Sequence, residues 1–193
     1  MYKKYHFIAF ALILIAISAI ANLTFVFMSV LIVVWFSIVA ITKVLHFDKK
    51  LSDQEKNLYK ITIILYPLFE TIIKYLLLHD IIAQSWFWIN RFEHFLSAIA
   101  IEILLYPLLK PTLKKLSLTE SLIFSICTIT FVGNLNEFLE YFIRHLLGTY
   151  RLNFFYWDTI YDMVMNIFGA IFGFLILLRQ KHRRMLNTKL FLV

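Results

Sequence analysis

The sequence predicts an all-α, polytopic transmembrane helix bundle of about six spans with both termini in the cytoplasm, and three observations lead there. Of its 193 residues, 61% are hydrophobic and 16% charged, with a mean hydropathy of +0.79, whereas soluble domains sit at about 45–50% apolar and about 25% charged. Six apolar stretches are long enough to cross a hydrocarbon core about 30 Å thick, which takes roughly 20 helical residues. The basic residues between those stretches fall almost entirely on one side.

The stretches run from about His6 to Asn22, Thr24 to Thr42, Ile61 to Leu78, Phe92 to Leu109, Ser121 to Leu147 and Thr159 to Leu178. The first two have almost nothing between them and read as a tight helical hairpin within residues 1–46. The last four, residues 61–178, read as a four-helix part. With four glycines, three prolines and no repeat or low-complexity tract, no flexible linker is expected, and residues 1–193 read as a single integral membrane domain. Lys3 and Lys4 followed by an apolar run imitate a signal peptide, but no small-residue cleavage site closes it and a second apolar run follows directly, so it reads as a retained span.

Lys3 and Lys4, then Lys43, Lys49, Lys50, Lys56 and Lys60, then Lys110, Lys114 and Lys115, then Arg179, Lys181, Arg183 and Arg184 all share one side if there are six crossings. The other side keeps Arg91, Arg144 and Arg151 together with Trp86, Trp88, Tyr150, Tyr156 and Trp157, an aromatic belt at the outer interface. Both patterns place the ends in the cytoplasm and the protein in the inner membrane as a multi-pass chain. The net charge of +7 therefore reports topology and contact with anionic lipid, and no nucleic-acid partner is expected. Cys127 stands alone in an apolar run, which excludes an intramolecular disulfide and a cysteine metal motif and leaves it as a packing residue.

An ionisable group inside the bilayer costs at least about 2.5 kcal/mol on insertion scales, so each must face the bundle interior and find a partner. The third span carries Glu70 and Lys74; the fourth Glu93, His94 and Glu102; the fifth Asn134, Asn136, Glu137, Glu140 and Arg144; the sixth Asp158, Asp162 and Asn166 at spacing four. Alternating span directions bring Lys74, His94, Glu137, Glu140, Asp158 and Asp162 to one depth in the outer half, with Glu70, Glu102 and Asn166 deeper. The expectation is an acidic and histidine pocket opening to the exterior. Carboxylates with one imidazole suit a divalent metal ion, with Glu137, Glu140, Asp162 and His94 as ligands. Equally, crowded carboxylates supply a general acid beside a general base without metal. The spacing leaves both open.

Plainer readings exist for several of these residues. Glu140 with Arg144, and Glu70 with Lys74, are i,i+4 pairs that can neutralise one another. His94 can be a satisfied buried histidine, and Asp158 an N-cap of the sixth helix. Asp162 and Asn166 have no cationic neighbour on their own helix and need a partner from elsewhere. Gly169-Ala170-x-x-Gly173 is a small-residue stripe of the kind that lets helices approach closely.

The run Trp157-Asp158-Thr159-x-x-Asp162-Met163-x-Met165-Asn166-x-x-Gly169-Ala170, preceded by Gly148-Thr149 and followed by an apolar run and Lys181-His182-Arg183, resembles the C-terminal signature of the YjdF-like family of small bacterial inner-membrane proteins. Glu137-x-x-Glu140 and Arg91-x-x-His94-Phe95 also look like that family's pattern. The order of a basic residue before His-Phe, a glutamate-bearing helix and Asp-x-x-x-Asn-x-x-Gly-Ala is similar, more distantly, to VanZ-like proteins associated with glycopeptide resistance. The resemblance covers roughly the last hundred residues and implies a membrane bundle with acidic helix ends. It brings no substrate, because YjdF-like proteins are functionally uncharacterised.

Three functions fit this reading. The first is a membrane-embedded hydrolase or transferase acting on a lipid or lipid-linked envelope substrate at the outer leaflet, with Glu137, Glu140 and Asp162 as ligands or acid and base, His94 and Asp158 assisting and Asn166 orienting. The second is a transporter or a cation- or proton-binding protein in which Glu70, Lys74 and Glu102 continue the pocket inward. The third is a non-catalytic membrane protein whose pocket is closed by salt bridges.

Overall fold

A computed structural model describes residues 11–17, 19, 25–82, 87–146 and 152–190, and the described residues are helical apart from short connections. In order they form α1 (residues 11–17), α2 (Phe25–Val44), a 3-10 turn (Phe47–Lys50), α3 (Asp53–Leu78), α4 (Phe87–Leu113), α5 (Leu118–Leu146) and α6 (Leu152–Leu190). Most of the first expected span, and the junction to the second, lie outside the described residues. Three helical segments among the described residues are long and apolar enough to cross a membrane: Trp88–Leu113, Leu118–Leu139 and Trp157–Gln180. The chain is therefore an α-helical membrane bundle.

Two of the connections end in the same device. Ser52 receives the amide of Glu55 on its hydroxyl while its own amide donates to Glu55 Oε2 at 2.6 Å, and Ser117 and Glu120 repeat the exchange at 2.7 Å. Each Ser-x-x-Glu satisfies two amides that a helix N-terminus otherwise leaves without partners, fixing where α3 and α5 begin. The turns before and after α3 carry His46 at φ 55° and Asp80 at φ 52°, the left-handed backbone that reverses a chain sharply.

The chain divides into two compact units, Met1–Trp86 and Phe87–Val193. In the first, Trp35 on α2 donates its indole N–H to the carbonyl of Ile63 on α3 at 3.2 Å and stacks at a tilt on Tyr66, with ring centroids 4.7 Å apart. Glu70 and Lys74 belong to this unit, on α3, and Glu70 is buried.

The second unit is built around α6, which packs on both α4 and α5. Gly169 makes the approach to α4 possible: a Cβ there would run into the carbonyl oxygen of Phe95 and come within 2.6 Å of the Cβ of Ala98. Gly133 on α5 is as close to the side chain of Asn166 on α6, and Gly173 rests against Glu102 of α4. Ala98, Ile129 and Ala170, one residue from each helix, form the buried centre, with Ile101, Leu105 and Ile126 packed around it. Residue numbers rise together along α4 and α6 in these contacts and fall along α5, so α4 and α6 run parallel and α5 runs against them.

The outward faces are apolar. Ile123, Phe131, Leu135 and Phe138 on α5, and Phe168, Phe172 and Leu175 on α6, are exposed, which suits hydrocarbon and not water. Cys127 is exposed on α5, so it lines this outer surface instead of packing in the core. Gly169→Ala is expected to lower stability by about 1–3 kcal/mol from overpacking against backbone that cannot yield, partly offset by the roughly 1 kcal/mol that alanine gains over glycine within a helix. Gly173→Ala, which meets the Glu102 side chain at 3.2 Å, is expected to cost less. Thermal unfolding in uncharged detergent compares the two.

Candidate functional site

Three columns of residues at spacing four meet at the junction of α4, α5 and α6. Along α4 they are Asn90, His94, Ala98 and Glu102; along α6, Asp158, Asp162, Asn166 and Ala170; along α5, in reverse, Glu137, Gly133, Ile129 and Ser125. Four residues make just over one helical turn, so each column keeps to one face. Because the parallel columns are in register, like depths carry like chemistry: a polar layer near one end, then Asn166 against Gly133, then the apolar centre.

In the polar layer His94 sits between two carboxylates. Its Nδ1 is 3.5 Å from Glu137 Oε1 and its Nε2 is 3.4 Å from Asp162 Oδ2, and the three side chains are 12%, 11% and 4% exposed. One ligand atom from each of His94, Glu137 and Asp162 lies within 4.8 Å of the other two. His94 lies six residues inside the start of its span, Asp162 five inside its own and Glu137 two before the end of its own. At about 1.5 Å per residue that puts all three within about 9 Å of one end of the spans.

Above this layer Asn90 donates its side-chain amide to both oxygens of Asp162, at 3.2 and 3.0 Å, and to Asp158 Oδ1 at 3.4 Å. A carboxylate accepts and never donates when ionised, so the amide nitrogen must be the atom that faces the two acids. Asn90 escaped the sequence reading because it lies two residues before the expected start of the fourth span at Phe92. The signal that would have found it is its position four residues before His94, which extends the α4 column by one turn.

Asp158 lies inside α6, which begins at Leu152, and not at its N-cap. Asn166 is buried at 3% exposure beside Gly133, and its Nδ2 has no hydrogen-bond partner among the described residues. Glu140 is on α5 one turn beyond Glu137, and Arg144 one turn further; both side chains lie outside the described residues. Glu93 is buried on α4, one position round the helix from His94. Glu102 lies two turns beyond His94, past the apolar centre, at 1% exposure, with the hydroxyl of the fully buried Ser125 on α5 beside its carboxyl group.

At the rim, the Arg91 guanidinium carbon stands 3.8 Å from the centre of the Tyr161 ring and 5.0 Å from that of Trp88. Trp88 and Trp157 are exposed there, Trp157 in tilted contact with Tyr161.

Helices this apolar, closed by small residues and enclosing a histidine between acids from two other helices, define an α-helical integral membrane protein with buried polar residues near one end of its spans. A family model described as predicted membrane protein (DUF2238) matches residues 3–183, and the chain belongs to that family. No curated protein and no solved structure matches it.

Replacing Asn90 by leucine removes the donor that Asp158 and Asp162 share and is expected to cost about 1–3 kcal/mol for the carboxylate oxygens left without it. Asn90→Asp, which adds a third carboxylate at the same point, is expected to cost more than the leucine variant. Thermal unfolding of both variants in the presence of a chelator measures the difference.

Proposed function

We propose that the protein is a membrane-embedded divalent-cation centre that serves hydrolysis or group transfer on a lipid or lipid-linked envelope substrate. The observation that carries this reading is the convergence of His94, Glu137 and Asp162, from three different helices, within 4.8 Å. Two ligand atoms each about 2.1 Å from a tetrahedral ion stand about 3.4 Å apart, which is the separation of His94 Nε2 from Asp162 Oδ2. A second carboxylate then faces the other ring nitrogen, the arrangement that orients a ligating imidazole. Glu137 enters either as a further ligand or as that orienting partner.

Two carboxylates and one neutral imidazole balance the charge of a divalent ion and leave coordination positions for water and substrate. A bound ion in such a site polarises a phosphoryl or carbonyl oxygen and makes water a better nucleophile. Asn90 holds Asp162 and Asp158 in place. Asp158, which shares the Asn90 amide with Asp162 and lies one turn nearer the helix end, is the residue assigned to accept a proton, with Glu140 on α5 as the other candidate. Asn166 orients from below.

The transport reading rests on Glu70, Lys74 and Glu102, of which Glu102 belongs to this unit and lies deeper on the α4 column with Ser125 beside it. Between them and the polar layer stand Ala98, Ile129 and Ala170. A packed apolar layer favours a closed site over a path.

Six spans with the termini in the cytoplasm, residence in the inner membrane, membrane lipids as partners and the site on the outer face complete the proposal. The YjdF-like signature over residues 157–170 is consistent with the DUF2238 family, and the VanZ-like order of residues suggests envelope chemistry.

Titration calorimetry of the detergent-purified protein with Mn²⁺ or Zn²⁺ is expected to show one saturable site. Affinity should fall about tenfold or more in His94→Ala and Asp162→Asn, in line with the loss of a ligand or its orienting partner. Absence of binding by the unaltered chain, or equal binding by the variants, refutes the centre.

A further inference from the structure

We propose that Glu102 is a proton-binding site of its own, a neutral carboxylic acid enclosed by three helices and clasped to Ser125. It stands apart from the cation-centre reading, since neither residue belongs to the polar layer. Glu102 on α4 is 1% exposed, and Ser125 on α5 is fully buried beside it. Gly173 on α6 closes the third side, where a Cβ would come within 3.2 Å of both the Cβ and Oε2 of Glu102. All three residues lie well inside the segments long and apolar enough to cross a membrane, Trp88–Leu113, Leu118–Leu139 and Trp157–Gln180.

The enclosure is suited to an acid that keeps its proton. An ionised carboxylate is tolerated in an apolar interior when a cation or several hydrogen-bond donors replace the water it gives up. A serine hydroxyl supplies one donor, against about four lone-pair positions on a carboxylate. Charged groups on each packed helix stand at a distance. On α4, Arg91, Glu93 and His94 lie eight to eleven residues before Glu102, and Lys110 eight after it, which is about 12 Å of rise or more in either direction. The Lys110 ammonium is laid over the ring of Tyr106, one turn beyond Glu102, at 5.5 Å from the centroid. On α5, Glu120 lies five residues before Ser125 and Glu137 twelve beyond it. On α6, Asp158 and Asp162 lie eleven or more residues before Gly173, and the exposed Arg179 six beyond it.

A protonated acid occupies the same place without a counter-ion. Its O–H has an acceptor in the Ser125 oxygen, and its carbonyl oxygen asks for less than an anion would. The resulting clasp joins α4 to α5, the two helices of this unit that meet each other least closely. Ala98, Ile129 and Ala170 pack between this acid and the polar layer. Along each column an apolar side chain or a small residue interrupts the polar ones, so the proton is held in place and not relayed.

Infrared spectroscopy of the full chain in uncharged detergent tests the assignment at about pH 6.5, where an exposed glutamate is ionised. The spectrum of the unaltered chain minus that of Glu102→Gln is expected to contain the carbonyl stretch of a protonated carboxyl group, at higher frequency than any amide or carboxylate band. Ser125→Ala, which leaves the acid in place, should displace that same band. Because this variant retains the carboxyl group, its spectrum assigns the band even where Glu102→Gln does not fold, and gel filtration reports the folding of each. A difference spectrum that shows a carboxylate band in place of the carbonyl stretch overturns the proton site. A carbonyl stretch that Ser125→Ala leaves unmoved overturns the clasp.

Discussion

The arrangement of the second unit depends on backbone touching backbone where α4 crosses α6. Gly169 has no Cβ, and one would occupy the space of the Phe95 carbonyl oxygen. Because the two helices close to that distance, residues spaced by four on one fall level with residues spaced by four on the other. Asn90 then reaches Asp158 and Asp162, and His94 reaches Asp162, with side chains of ordinary length. Gly133 performs the same service for α5 against Asn166, drawing Glu137 to His94. Helices in lipid gain no hydrophobic free energy by associating with each other, so close packing of small residues is a principal source of adhesion. The polar layer is a consequence of that adhesion.

Much of this was legible beforehand because the bilayer enforces it. The composition and the six apolar stretches required a helical membrane chain, and the five later stretches correspond to α2 to α6, although α3 begins eight residues before its stretch and α6 extends seven residues before and twelve beyond its own. Spacing arguments placed Asp158, Asp162 and Asn166 on one face, and the small-residue stripe read as a close helix contact. The misses have physical causes. Asp158 looked like a cap because a helix was expected to start where hydrophobicity starts, yet α6 begins at Leu152, with Phe154, Phe155 and Tyr156 extending it ahead of the apolar run. Asn90 precedes the expected start of the fourth span at Phe92, so a search for costly residues within the spans passed it by. Cys127 sits in an apolar run, but a helix in lipid is apolar on its outside as well, and hydrophobicity alone does not say which face is buried.

The polar layer is kept close to water and the apolar centre keeps it there. Ala98, Ile129 and Ala170 fill the space where three columns of alternating chemistry would otherwise continue as a wet seam. Small side chains on α4 and α6 let the branched Ile129 fill the gap, a fit of shapes that admits no solvent. The result is a polar layer separated from Glu102 by a packed apolar one. Arg91, lying across Tyr161 and next to Trp88, borders that polar layer with a cation stacked on aromatic rings.

Beneath that apolar layer, Glu102 is buried with Ser125 beside its carboxyl group. Gly173 gives its carboxylate room where a larger residue would push it aside. Swapping a buried polar group for a hydrophobic one of like volume is often neutral or stabilising, so leucine would serve this packing position at least as well. The tightest helix pair of the unit thus closes on a carboxyl group, whose side chain occupies the space left by the hydrogen of Gly173.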